Sequence, residues 1–142
     1  MPTAKRRNIP DSVLEQAATV PPGAVTALWE LWKAIHTSKR GKGHQLSSRR
    51  AEDISVAVVA FGFEACVRAI IGAYFSPFHM GDNPALKRYT NIELILRYGE
   101  KWRVAKFGKL YLENKQDAEE LRGQHLVDYR NLTVVEEVAE EK

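Results

Sequence analysis

One cysteine stands among the 142 residues, Cys66. A lone thiol closes no disulfide within the chain and fits a reducing cytosol, so a cytoplasmic location is expected. Its apolar setting, "FEACVRAII", marks Cys66 as a core residue rather than a nucleophile. Long hydrophobic runs are also missing. Nothing approaches the roughly 18 uncharged apolar residues of a membrane span, and no membrane partner is expected. The opening "MPTAKRRNIP" carries cations but no apolar stretch behind them, unlike a secretory signal. The glycine patterns that cradle phosphates or nucleotides, the P-loop and GxGxxG, are absent, as is the GxSxG elbow of hydrolases. The four histidines, His36, His44, His79 and His125, fall in four different segments and make no HxxxH or HExxH pattern. No metal, no cofactor and no catalytic residue is therefore assigned, and an enzyme is not expected. The adjacent Glu52 and Asp53 point to different sides of a helix and do not form a carboxylate pair.

What is present is ordinary in amount and uneven in arrangement. Apolar residues make up 44% and charged residues 27%, values of a globular chain long enough for one core. Residues 1–116 carry 18 Lys and Arg against 10 Asp and Glu, a balance of +8. Residues 117–142 carry 3 against 8, a balance of −5. The reading is a short basic arm over 1–10, one helical domain over 11–129 and an acidic tail over 130–142. A basic body points to a polyanion partner, DNA above all, with the tail as its competitor; plain solvated surface is the alternative.

Helical spacing dominates the body. "DSVLEQAATV" starts a helix with Asp11 or Ser12 as cap, and "PPG" ends it. In "AVTALWELWKAIHTSK", Val25, Leu28, Trp29, Trp32 and Ile35 form one apolar stripe, which places both tryptophans in the core. Ser47 or Ser48 caps "RRAEDISVAVVAF" and Gly62 stops it, so "FEACVRAIIGAYFS" must leave at an angle and share its core. Pro77 ends that helix; Thr90 or Asn91 caps "IELILRY"; Gly99 separates it from "EKWRVAKFGKLYLENK". "QDAEEL" begins a last helix, and "LTVV" has the composition of a stray strand. The expected fold is all-α, a bundle of about five to six short helices. One core cluster is expected from Trp29, Ile54, Val58, Phe61, Val67, Ile70, Ile71, Ile95 and Phe107.

Two basic groups bear on function. Lys33, Lys39, Arg40, Lys42, Arg49 and Arg50 span a helix end, a glycine-containing loop and a helix start without an intervening acid. Such a segment sets flexible cations and backbone N–H groups against phosphate. In "RYGEKWRVAKFGKLY", Arg97, Lys101, Arg103, Lys106 and Lys109 interleave with Tyr98, Trp102, Phe107 and Tyr111. Aromatics that stack and cations that hold a backbone suit nucleic acid, while an amphipathic helix with a lysine face has the same pattern. Phe107 and Tyr111 are expected inside, and Tyr98 or Trp102 outside. The pair of helices around Gly62 has the layout of a helix-turn-helix, but its second helix offers a single cation, Arg68, and makes a poor recognition helix. Between these groups lies "SPFHMGDNPALKRYTN", in which Asp82-Asn83-Pro84 reads as a turn fixed by its own side chains.

From Arg49 to Phe107 the chain resembles a small helical module of bacteriophage and mobile-element proteins, often found at the C-terminal end of replication-initiation or replisome-organiser proteins. The resemblance runs through "GFE", "AIIGAY", "SPFHMGDN", "IELILR" and the late aromatic Phe107. It covers about 59 residues, and the winged-helix domain that often precedes such modules has no room before residue 49. It implies a phage-like origin, a place in the host cytoplasm and a role around nucleic acid, in replication or its control, with a host or phage replication protein as a further partner. It also implies that the insertion is a connector, with Phe78 and Tyr89 plugging the core and Lys87 and Arg88 left outside. The expected backbone contacts are Lys39, Arg40, Lys42, Arg49, Arg50, Lys87, Arg88, Arg97, Lys101 and Arg103. The alternative is a module that binds and redirects or inhibits a host protein through its acidic tail or a face built on Trp29, Trp32 or Trp102.

Overall fold

The structure, a computed structural model, describes residues 9–37 and 45–128. The first eight residues, the loop cations Lys39, Arg40 and Lys42, the segment "LTVV" and the acidic tail lie outside the described residues. Among the described residues seven helices follow one another: α1 (Asp11–Ala17), α2 (Pro22–His36), α3 (Ser48–Phe61), α4 (Phe63–Tyr74), α5 (Ile92–Ile95), α6 (Lys101–Glu113) and α7 (Lys115–His125). No strand occurs among the described residues.

The helix boundaries follow from local chemistry. Pro21 and Pro22 end the α1 region and at once begin α2, because a proline ring fits the first turn, where its missing N–H has no helical partner to lose. The Ser47 hydroxyl caps α3 by accepting from the Arg50 N–H at 3.1 Å. At α1 and α5 the cap positions are Pro10 and Asn91, and neither side chain bonds back to its helix. Gly62, at φ 93°, turns the chain by 112° between α3 and α4, a backbone conformation that side chains oppose.

Helix α4 is the hub. It packs against α2, α3, α5, α6 and α7, and Cys66, Val67, Ala69, Ile70, Ile71, Gly72 and Ala73 are all buried. Most of α4 is covered, and of its side chains only Glu64 and Tyr74 are exposed, with Arg68 partly so. Seven of the nine expected core residues lie in one buried cluster; Val58 and Phe61 are only partly buried and pack against it from outside. Trp29 and Trp32 stack inside it with ring centroids 5.0 Å apart, and the Trp32 indole N–H donates to the Thr90 carbonyl at 2.7 Å. Glu64, at the start of α4, accepts from Arg68 (2.9 Å) and from both terminal nitrogens of Arg122 (2.7 Å each), which fastens α7 to α4. The Arg122 hydrogen bonds, with those of Arg68, hold the Glu64 carboxyl below the usual carboxylate range.

Helices α4 and α6 meet backbone to backbone at Gly72. A Cβ built on Gly72 would stand 1.9 Å from the Phe107 carbonyl oxygen and 2.6 Å from its carbonyl carbon. Both are backbone atoms, so neither swings aside. One turn of α6 therefore rests directly on the bare backbone of α4. We expect Gly72→Ala to cost roughly 3 kcal/mol, at the upper end of overpacking. Gly108, one residue along α6, meets nothing within 4 Å, and Gly108→Ala should instead stabilise by about 0.5–1 kcal/mol through helix propensity. Urea unfolding of the two variants checks both signs.

His36 ties α2 to α4. Its ring Nε2–H donates to the Ile70 carbonyl at 2.8 Å, which leaves Nδ1 buried and without a partner. Burial lowers its pKa from 6.5 to about 4; the Ile70 bond opposes the shift and the charge of Arg88 adds to it. Between those pH values the unfolded chain binds a proton that the folded chain refuses. This part of the stability is complete above pH 6.5 and lost as pH falls toward 4, about 3 kcal/mol in all. His36→Gln, which keeps a donor for Ile70, should flatten that window in denaturant unfolding at stepped pH.

Candidate nucleic-acid interface

The insertion over 76–90 is built around a buried asparagine. The Asn83 amide N–H groups donate to the carbonyls of Phe78 and Lys87, each at 2.7 Å, and its side-chain oxygen accepts from the Lys87 N–H at 3.2 Å. Three bonds from one side chain close the loop, as the Asp82-Asn83-Pro84 turn chemistry leads one to expect. The turn needs left-handed backbone at two places. Gly81 supplies one, at φ 113°; Leu86 supplies the other, at φ 53°, and stands almost wholly exposed.

The loop does not bury its aromatics as expected. Phe78 is 51% exposed and Tyr89 only partly covered, so Phe78 is no core plug. The two rings stack on each other instead, 5.7 Å apart and 18° from parallel. The residue that reaches inward is His79. Its ring meets Phe107 edge-on at 4.9 Å, and its Nδ1 shares a hydrogen bond with the Ser76 hydroxyl at 2.7 Å.

Cations gather round this loop. Partial burial, then the charges of Lys106 and Arg103, lower the pKa of His79, which places both cations within reach of its ring. Arg88 lies over Met80 and Gly81, its guanidinium 3.7 Å from the Met80 sulfur. Lys87 beside it is exposed. Lys87 and Arg88 thus share one loop with the Phe78–Tyr89 stack, with Leu86 at its outer edge, and Lys106 lies within electrostatic reach of the neighbouring His79.

The other expected contacts go elsewhere. Arg50 donates to Glu93 at 2.7 Å and to the Gln45 carbonyl at 3.0 Å while lying over the Trp29 ring, so it fastens α3 to α5. Arg97 turns toward the fold, its Nε buried without a partner. Arg103 is shared: it bonds Glu100 and the Leu94 carbonyl, and its guanidinium lies 4.6 Å from the Trp102 ring. Arg49 is exposed at the start of α3, and Lys101 at the start of α6. Lys39, Arg40 and Lys42 lie outside the described residues.

Phe107 and Tyr111 are buried and Trp102 is 60% exposed, in line with the sequence pattern. The stack of Phe78 on Tyr89 was not legible in the sequence, since eleven residues separate the rings. Lys106, by contrast, had a signal: it lies on the same side of α6 as Arg103, three residues on. Among the described residues, no three of His, Cys, Asp or Glu come together as a metal-ligand group. Compared with family models, curated proteins and solved structures, the chain finds no match, and the likeness to phage replication modules rests on its sequence pattern alone.

Proposed function

We propose that the protein associates with nucleic acid through the loop face, as a non-enzymatic factor in the replication of a bacteriophage or mobile element. One observation carries the reading: an accessible pair of stacked aromatics, Phe78 and Tyr89, shares one loop with the exposed cations Lys87 and Arg88, and exposed Lys106 lies within electrostatic reach of His79 on the same loop. Cations fix a phosphate backbone, and an exposed ring accepts an unstacked base of any identity. The combination suits a single strand better than a duplex, because few side chains on this face are able to read base edges. Affinity is then electrostatic, with little sequence preference. Lys5, Arg6, Arg7, Lys39, Arg40 and Lys42 add positive charge to the same chain. The phage and replication setting is supported by the resemblance over residues 49–107.

Fluorescence anisotropy with a labelled 20-nucleotide oligothymidylate tests the proposal. Arg88→Ala together with Lys106→Ala should weaken binding and lower the slope of log K against log salt by about 1.4, or 0.7 for each phosphate no longer neutralised. Phe78→Ala should cost about 1–3 kcal/mol at every salt concentration. Lys115→Ala, at the start of α7, should change neither quantity. Bound phosphate favours the imidazolium, so the NMR-detected pKa of His79 should rise on binding. An equal weakening in the Lys115 variant, or a His79 titration that does not move, would refute this face as the binding surface.

A further inference from the structure

The opposite flank of α6 carries a different surface. An open groove of about 810 Å³ runs between α6 and the junction of α3 and α4. Its floor is apolar: Phe61 and Ala65 on one side, Ala105, Gly108 and Leu112 on the other. Trp102, 60% exposed, and Leu112, 52% exposed, stand along it as large apolar side chains without cover. Every charged residue in the lining is a cation, namely Arg68, Lys101 and Lys109. Arg68 shares Glu64 with Arg122, so that local cluster still keeps an excess positive charge.

The groove is separate from the loop face. At 100° per residue, the stripe of Lys101, Ala105, Gly108 and Leu112 lies about 160° around α6 from Arg103 and Lys106 across the exposed Lys109 and Trp102, with the buried stripe of Val104, Phe107 and Tyr111 on the other side of the helix. Lys101 therefore belongs to this surface, away from Lys87 and Arg88. From Lys101 to Leu112 the groove wall is about 16 Å long, three turns of helix. The bare Gly108 lets another backbone approach closely at its middle.

We propose that this groove docks an amphipathic helix of a partner protein, about three turns long, with an apolar stripe toward Phe61, Ala65 and Trp102 and acidic residues flanking it. Helix-in-groove recognition requires an apolar floor with anchors spaced along it. The cationic rim selects the sign of the flanking charges and steers the encounter. Nucleic acid fits the surface poorly, since phosphates gain nothing from an apolar floor. The chain's own 131–142, "NLTVVEEVAEEK", has related chemistry and is the competing occupant.

The test uses the full chain and a helix-stapled 14-residue peptide with leucines at i, i+4, i+7 and i+11 and glutamates between them. A lysine-for-glutamate twin and a version with scrambled leucines serve as controls. Trp29 and Trp32 are buried, so a blue shift of tryptophan emission reports Trp102, and Trp102→Phe should abolish it. The glutamate peptide should bind at micromolar concentration, at least tenfold tighter than either control. Ala105→Glu, at an exposed position, should weaken it at least tenfold, and Lys101→Glu with Lys109→Glu should reverse the preference between the peptides. Circular dichroism and thermal midpoints establish that these surface variants fold. No binding of the glutamate peptide at 1 mM overturns the proposal, as does equal binding of the lysine twin or an equal shift with oligothymidylate. Deleting 131–142 separates the last alternative: cross-links from that segment into the groove, with peptide binding only after its removal, assign the groove to the chain itself and overturn the partner. Oligothymidylate binding is measured in parallel, so failure here leaves the loop face to stand or fall by its own test.

Discussion

The rest of the structure depends on the contact between the backbones of α4 and α6 at Gly72. Without a side chain there, the carbonyl of Phe107 settles where a Cβ would otherwise sit. That closeness fixes the depth and rotation of α6 on the hub helix. It aims Phe107 and Tyr111 into the core and leaves one flank of α6 on either side of them. The energy comes from burial of the surrounding apolar surface, but the glycine decides which surface is buried.

Both candidate surfaces follow from this placement. On one flank, His79 from the 76–90 loop packs on the Phe107 ring, and Phe78 stacks with Tyr89 at the surface. Lys106 lies within electrostatic reach of His79, on the loop that carries Lys87 and Arg88. On the other flank, a groove runs between α6 and the α3–α4 junction. Small residues, Ala105 and Gly108 against Ala60 and Ala65, leave a trough that no side chain of the described residues fills. Shift α6 by the ångström or more that a methyl group at position 72 demands, and both surfaces change together.

The all-α class and most of the core were legible in the sequence, because amphipathic periodicity reports which face a helix buries. Trp29, Trp32, Phe107 and Tyr111 were placed inside from spacing alone, and Gly62 at a sharp turn from its position between two apolar helices. Partners across the fold were not legible. Arg50 looks like a phosphate contact until Glu93, forty-three residues away, is seen beside it. Phe78 was misplaced because its partner, Tyr89, lies eleven positions on along the loop and spacing does not show the two rings stacking. Gly72 looked like one more small residue in an alanine-rich helix. Its importance lies in what stands opposite, and periodicity says nothing of that.

The central claim is that α6 presents two independent surfaces, one for phosphate and bases and one for an acidic helix. Amide chemical-shift mapping of the 15N-labelled protein with each ligand in turn tests it most directly. Oligothymidylate should move residues 78–89, Arg103 and Lys106 while leaving Phe61, Ala105, Gly108 and Leu112 in place, and the glutamate peptide should do the reverse. Both ligands moving one shared set of residues, or displacing each other in a single complex, would contradict the account.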